Sequence, residues 1–211
     1  MATKLFLRNT TTNGITDSGD TVCYDMIIAP GSSVDTDQVT LTAGGTNIQW
    51  TQTAGGNSVA WISGRVPSGG FTLTTGTFSG WFLESNMNDE AGGRVRLYKY
   101  TPGVPLIVEL VGSPFDDGVE FNPGTILEMS WTTNPTDTAF LEDDRILLRV
   151  FATNITTMTA GTADFQFNAA DAATGDSFWE LAENVTFKPE DVTASGWGPF
   201  EAGKRNERVI A

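Results

Sequence analysis

The sequence predicts an all-β protein: an antiparallel β-sandwich, jelly-roll-like, with an irregular C-terminal arm. Three observations lead there. Short runs rich in Thr, Val, Ile and Phe recur from residue 3 to residue 187, many alternating apolar and polar side chains with a period of two. Clusters of turn-forming residues, among them "APGSSVDTD", "TAGG", "PSGG", "NMNDEAGG", "NPTDT" and "DAATGD", separate nearly all of these runs. Helical periodicity is weak everywhere; only "DTAFLEDDR" could make a turn or two, and it reads equally well as a loop.

The expected strands are, in order, "TKLFLR" (3–8), "TVCYDMII" (21–28), "QVTLT" (38–42), "TNIQWTQ" (46–52) and "SVAWISGRV" (58–66). "FTLTT" (71–75), "GTFSGWFLES" (76–85), "GRVRLYKY" (93–100) and "PLIVEL" (105–110) follow. The last are "TILEMSWT" (125–132), "RILLRVFAT" (145–153), "TADFQFN" (162–168) and "SFWELAENVTF" (177–187). Regular strand-plus-turn spacing of this kind suits a sandwich or barrel.

Alternation assigns faces. Ile146, Leu148 and Val150 oppose Arg145 and Arg149; Ala163, Phe165 and Phe167 oppose Thr162, Asp164 and Gln166; Trp179, Leu181, Val185 and Phe187 form one stripe. Such stripes need a second sheet about 10 Å away to bury them. The most regular run is "GGRVRLYKYTPG", with glycines expected to open it and Thr101-Pro102-Gly103 to close it. Arg94, Arg96, Tyr98 and Tyr100 point one way and Val95, Leu97 and Lys99 the other, which makes the Arg/Tyr face a candidate contact surface.

Two parts are expected: a sandwich domain over 1–187 and an extended arm over 188–211. From Lys188 the alternation lapses, and Trp197 and Phe200 sit among small residues. Lys204, Arg205 and Arg208 are 3 of the chain's 12 basic residues. Such an arm could be a loose terminus, or could dock Trp197, Phe200 and Arg205 on a neighbouring subunit.

Composition narrows the partners. At 211 residues the chain can bury a full core, with 6 Trp and 13 Phe to fill it. A net charge of −14 opposes phosphate backbones and anionic membrane surfaces, so neither nucleic acid nor membrane is an expected partner. The single Cys23 cannot form an internal disulfide and, within "TVCYDMII", is expected as a buried thiol. "MATKLFLRNTTTNG" does not read as a signal peptide, and no apolar run reaches the roughly 20 residues of a membrane helix.

Reactive constellations are scarce. With 0 histidines, Ser-His-Asp and Cys-His catalysis and imidazole metal sites are excluded. One cysteine makes no zinc cluster, and "GRVPSGG" lacks the lysine and helix of a phosphate loop. Glu109, Glu128, Glu142, Glu180 and Glu183 are candidates for the paired carboxylates of a glycosidase, but none falls in an alternating acidic pattern. Asp17 with Asp20, Asp35 with Asp37, and Asp116, Asp117 with Glu120 are the acidic clusters that could hold Ca²⁺; solvated turn acids are the plainer reading. Trp50, Trp61, Trp81 and Trp131 lie in strands and are expected in the core rather than as sugar platforms. The sequons at Asn9, Asn154 and Asn184 are at chance level in so Thr-rich a chain. No enzyme, cofactor or metal is therefore expected.

The second half resembles β-sandwich structural proteins of tailed bacteriophages. The pattern is an Arg/Tyr strand (Arg94–Tyr100), a "DRILLRVFAT" strand (Asp144–Thr153), a Thr/Gly-rich strand with "FQFN" (Thr162–Asn168) and a final "ENVTF" (Glu183–Phe187). The resemblance implies a virion component made in a bacterial host. A decoration, or cement, protein on the capsid exterior fits best, with the major capsid protein as partner and a homotrimer as oligomer. The competing expectation is a carbohydrate- or receptor-binding module on the tail or capsid.

Overall fold

The computed structural model describes residues 2–11, 23–32, 36–43, 50–52, 59–84, 91–104, 107–121, 123–154 and 162–188. Among them the chain is all strand and turn, with no helix, and so nothing helical long and apolar enough to cross a membrane. The strands are β1 (Thr3–Thr11), β2 (Cys23–Ile27), β3 (Asp37–Ala43), β4 (Trp50–Gln52), β5 (Val59–Ser63), β6 (Phe71–Leu73), β7 (Gly76–Glu84) and β8 (Ala91–Tyr100). They continue with β9 (Val108–Glu109), β10 (Phe115–Glu120), β11 (Leu127–Thr133), β12 (Thr138–Phe140), β13 (Arg145–Asn154), β14 (Thr162–Phe167) and β15 (Phe178–Leu181).

Pairing runs β10-β8-β13-β5-β2-β1-β15-β7-β14-β3-β4, with β11 on the other edge of β7 and β9 beside β8. The path folds over at β1, whose first residues pair β15 and whose later ones pair β2. Along β7, Gly76–Ser79 pairs β15 and Trp81–Glu84 pairs β14, so those two strands lie end to end on one edge. The result is a β-sandwich with one layer around β8, β13 and β5 and the other around β7 and β14. β6 and β12 form a separate ribbon.

The layers meet through aromatic side chains. Trp61 of β5 crosses the gap edge-on to Phe165 and Phe167 of β14, with ring centroids 5.6 and 5.1 Å apart. Phe82 stacks on Phe121 at 4.5 Å, and Phe78 packs on Trp131 at 4.7 Å. The predicted inward stripes Ile146/Leu148/Val150, Ala163/Phe165/Phe167 and Trp179/Leu181 all belong to this core. Cys23 is buried and in no disulfide, as expected.

Several local expectations fail, each for a physical reason. The β2–β5 pair is parallel within an otherwise antiparallel framework. Gly92 and Gly93 do not turn the chain but lie inside β8; a Cβ on Gly93 would come within 2.6 Å of the Trp131 ring, so the glycine admits the indole. Among the described residues of "PLIVEL", Val108 and Glu109 alone are strand, as β9, and Val108 there is exposed. "FDDGVE", read as turn acids, is strand β10, because Asp116 and Asp117 find partners on β8. In "DTAFLEDDR", Thr138–Phe140 is strand β12 rather than helix or loop, while the end is a turn, in keeping with the loop reading. Strand β15 stops at Leu181, and Glu183 turns back to accept the Thr74 amide at 2.8 Å.

Lys188, expected to begin the arm, still belongs to the sandwich. Its amide donates to the Arg65 carbonyl at 2.8 Å, and its ammonium lies 2.9 Å from Asp143. The rest of the predicted arm, with Trp197, Phe200 and Arg205, lies outside the described residues.

Candidate functional site

The Arg/Tyr row is built as alternation predicts, but it is already occupied by its own chain. Strand β8 pairs with β13 from Arg145↔Tyr100 to Asn154↔Ala91, and Val95 and Leu97 enter the main core. On the opposite face Tyr98 and Tyr100 are buried in a second small cluster with Cys23, Ala60, Ile62 and Leu147, against which Ile107 packs. The expectation that both tyrosines stand out for a partner is therefore corrected: neighbouring strands flank them, β9 pairs along the edge of β8, and Ile107 packs on the cluster.

The arginines are also engaged. Arg94 forms a two-pronged pair with Asp116 of β10, its Nη2 donating to Oδ2 at 2.7 Å. Register places Arg149 directly opposite Arg96, a repulsive arrangement. It is relieved by Glu109, 3.7 Å from Arg96, and by stacking of the Arg149 guanidinium 4.7 Å from the Tyr98 ring centre. Both pairs reach solvent and contribute little stability each. Near them Val104, Val108, Val111 and Val119 are exposed, at 46, 55, 70 and 58 %.

A second surface departs from the sequence expectation. Trp61 and Trp131 are buried as expected, and Trp50 falls in β4, but Trp81 is only half-buried. In "TFSGWFLE" the core side is Phe78, Gly80 and Phe82, which puts Trp81 on the outer face with Thr77, Ser79 and Leu83. Period-two alternation carried that signal; the general habit of tryptophan to sit in cores masked it.

Register then assembles a row across four strands: Gln38 of β3, Gln166 of β14, Trp81 of β7 and Glu128 of β11. Gln166 Nε2 donates to Gln38 Oε1 at 3.2 Å, the Ser79 hydroxyl donates to Glu128, and on the next row the Thr40 hydroxyl donates to Asp164 at 2.7 Å. Ser177 clamps the row from behind: it accepts from the Trp81 amide at 3.2 Å and donates to the Gln166 carbonyl. Further along the face Lys4 caps the Phe178 ring at 4.0 Å. Beyond Glu128 the row opens into a depression of about 280 Å³ lined by Asp117, Val119, Glu120, Leu127 and Ser130.

Asp176, in the turn that packs against Gln166 through Gly175, supplies a pH response. Burial pushes its carboxyl up to about 7; the Ala172 amide it accepts at 3.1 Å and Lys4 act in the other direction, and the Asp171 carboxylate adds to the rise. The folded state thus holds a proton that the unfolded chain releases near pH 4, so stability falls as pH rises from about 4 to about 7. Asp176→Asn retains an acceptor for Ala172 without the charge. Melting temperatures across that range are expected to decline less in the variant than in the wild type, and parallel declines would assign the titration elsewhere.

A cleft of about 260 Å³, lined mainly by Met26, Ile27, Ile28, Ile62 and Phe187, opens beside Lys188. Among the described residues no group of three or more Cys, Asp or Glu side chains is arranged to hold a metal ion. The acids of β10 serve the fold instead: Asp117 accepts the Gly93 amide at 3.0 Å, and Asp116 holds Arg94.

No family model matches the sequence, and none of the curated proteins matches it. The fold is similar to part of an aminopeptidase from a marine-sediment Thaumarchaeota archaeon, with a TM-score of 0.55 and 10 % identity. It is similar as well to part of a CocE/NonD family hydrolase from Staphylococcus aureus, at a TM-score of 0.51 and 10 % identity. Both matches cover 88 % of this chain but 37 % of the other, so the chain spans little more than a third of those proteins. At this identity the likeness is one of fold: the chain is an all-β, sandwich-like domain.

Proposed function

We propose that this protein is a virion structural protein of a tailed bacteriophage, a decoration protein that binds the assembled capsid from outside and ties neighbouring capsomers together. The observation that carries the reading is the exposed valine edge. Val104, Val108, Val111 and Val119 stand out along the segment on the outer side of β8, where β9 and β10 are the last strands of the sheet. Exposed apolar side chains on a strand edge are a liability unless a protein covers them. The strands that resemble phage sandwich proteins include β8, which adjoins this edge, and β13, the next strand inward. Fully burying one valine contributes about 1.5–3 kcal/mol, so a few per copy, repeated over a shell, would stabilise the assembled form by mass action. The proposed partner is the major capsid protein, the proposed oligomer a homotrimer, and the proposed role non-catalytic.

The test is co-sedimentation with shells of the parent phage that lack the protein, followed by heating. Saturable binding and a raised shell-disruption temperature are expected. Val108→Asp with Val111→Asp should weaken binding at least about tenfold while leaving the isolated protein's melting temperature nearly unchanged, since both side chains are already in water. Absence of binding to such shells would reject the reading.

A further inference from the structure

We infer that the outer face of the sheet centred on Trp81, with Gln38 and Gln166 on one side and Glu128 on the other, binds a neutral glycan. The inference does not rest on the shell-binding reading: Gln38, Gln166, Trp81 and Glu128 stand on the opposite layer of the sandwich, and only the depression past Glu128 reaches β10 and its Val119.

The chemistry of the row supports that ligand class. A pyranose ring has an apolar C–H face and an equatorial belt of hydroxyls, so it is bound by an aromatic plane flanked by planar hydrogen-bonding groups. Trp81 is the aromatic side chain left accessible here: Phe6 is buried, and Phe178 is capped by Lys4. Cross-strand neighbours at its level are an amide, Gln166, and a carboxylate, Glu128, with Gln38 one strand further. Side-chain amides both donate and accept, and a carboxylate that accepts one serine hydroxyl still has further lone-pair sites. The row therefore offers donors and acceptors beside the indole, as vicinal hydroxyls require.

Length and rigidity agree. Four adjacent strands span about 14 Å at the ordinary interstrand spacing, room for a short oligosaccharide, and the depression past Glu128 extends the track. The side chains stand on paired strands, and Ser177 locks the backbones of Trp81 and Gln166 together, so little ordering is left for binding to accomplish. Charge selects among glycans. Glu128, Asp164, Asp117 and Glu120 lie on or beside the track, and the whole chain carries −14. Sulfated, phosphorylated or uronic-acid polymers are repelled; neutral hexoses and N-acetylhexosamines are not.

The test is calorimetric titration of the full chain with hexasaccharides of glucose, mannose, galactose and N-acetylglucosamine, and with a heparin hexasaccharide as the anionic comparison. At least one neutral member is expected to bind. Trp81→Ala should weaken that binding at least about tenfold, and Gln166→Ala about three- to tenfold. Trp81→Phe, which keeps a ring, should retain most of it. Thermal melting of each variant separates lost binding from lost folding, and shell co-sedimentation should be unchanged in all three. The inference is overturned if no neutral hexasaccharide binds more tightly than about 10 mM, if heparin binds better than all of them, or if a folded Trp81→Ala protein binds as the wild type does.

Discussion

Trp61→Ala is expected to lower the stability of the fold by about 3–5 kcal/mol, the largest effect we anticipate from any one core side chain. Trp61 is fully buried and joins the two layers: it stacks with Tyr24 at 5.8 Å and meets Phe165 and Phe167 edge-on. Its indole Nε1 donates to the Arg8 carbonyl at 3.1 Å, tying β5 to β1 where the path folds from one layer into the other. Alanine would leave a cavity between rigid rings and an unsatisfied backbone carbonyl, and neither sheet can collapse into the space without losing its own pairing. For a chain of this length the melting temperature should fall by roughly 10 °C or more. Trp61→Phe keeps a ring but loses the hydrogen bond, and should cost much less. Denaturant midpoints read with near-ultraviolet circular dichroism would check both; a Trp61→Ala protein as stable as the wild type would mean that the layers are not held together here.

The second large effect is expected at Asp144, which is 2 % exposed. Its carboxylate accepts from the Leu141 amide and the Thr101 hydroxyl, each at 2.7 Å, and pairs with Lys99 at 2.8 Å. Lys99 also donates to the Ala139 carbonyl at 2.9 Å, so one carboxylate fastens the end of β8, the turn after β12 and the start of β13. Burial by itself pushes the Asp144 carboxyl up, but Lys99, Thr101 and the Leu141 amide together outweigh it and hold it below the usual carboxylate value. Asp144→Ala removes one partner of a mostly buried pair and should cost about 3–5 kcal/mol. Because the folded-state value is depressed, this stability is present above the unfolded-state value near pH 4 and is lost as pH falls through the folded one. Acid titrations should therefore bring the stabilities of wild type and variant closer together at low pH. A constant gap down to the acid transition would show that packing, rather than charge, carries the effect.

Much of the fold can be read from alternation. The inward stripes of β13, β14 and β15 follow from period two alone, since successive strand residues face opposite sides and only one side can be dry. Where alternation was followed strictly it also placed Arg94, Arg96, Tyr98 and Tyr100 together. It could not show that Cys23, Ala60, Ile62, Leu147 and Ile107 close around the tyrosines, because neighbours drawn from other segments leave no periodic trace in the strand they bury. Nor does "FDDGVE" look like a strand: Gly118 and paired acids are poor strand formers, and β10 exists because Arg94 and the Gly93 amide supply partners from β8. Trp81 departs from expectation for the opposite reason: the habit of tryptophan points inward, whereas the local period-two pattern of β7 points it outward.

By itself the sequence determined the all-β class, the absence of histidine chemistry, the acidic field and the inward face of most strands. Each of these is a matter of composition or of nearest neighbours along the chain. The tertiary structure decided which strands became neighbours. It placed Gln38, Gln166, Trp81 and Glu128, drawn from four separate strands, in one row, and it buried Tyr98 while leaving Val108 in water. Those outcomes depend on register and sheet order, set by the mutual packing of two layers, and contacts between residues far apart in the chain leave no period in a single sequence.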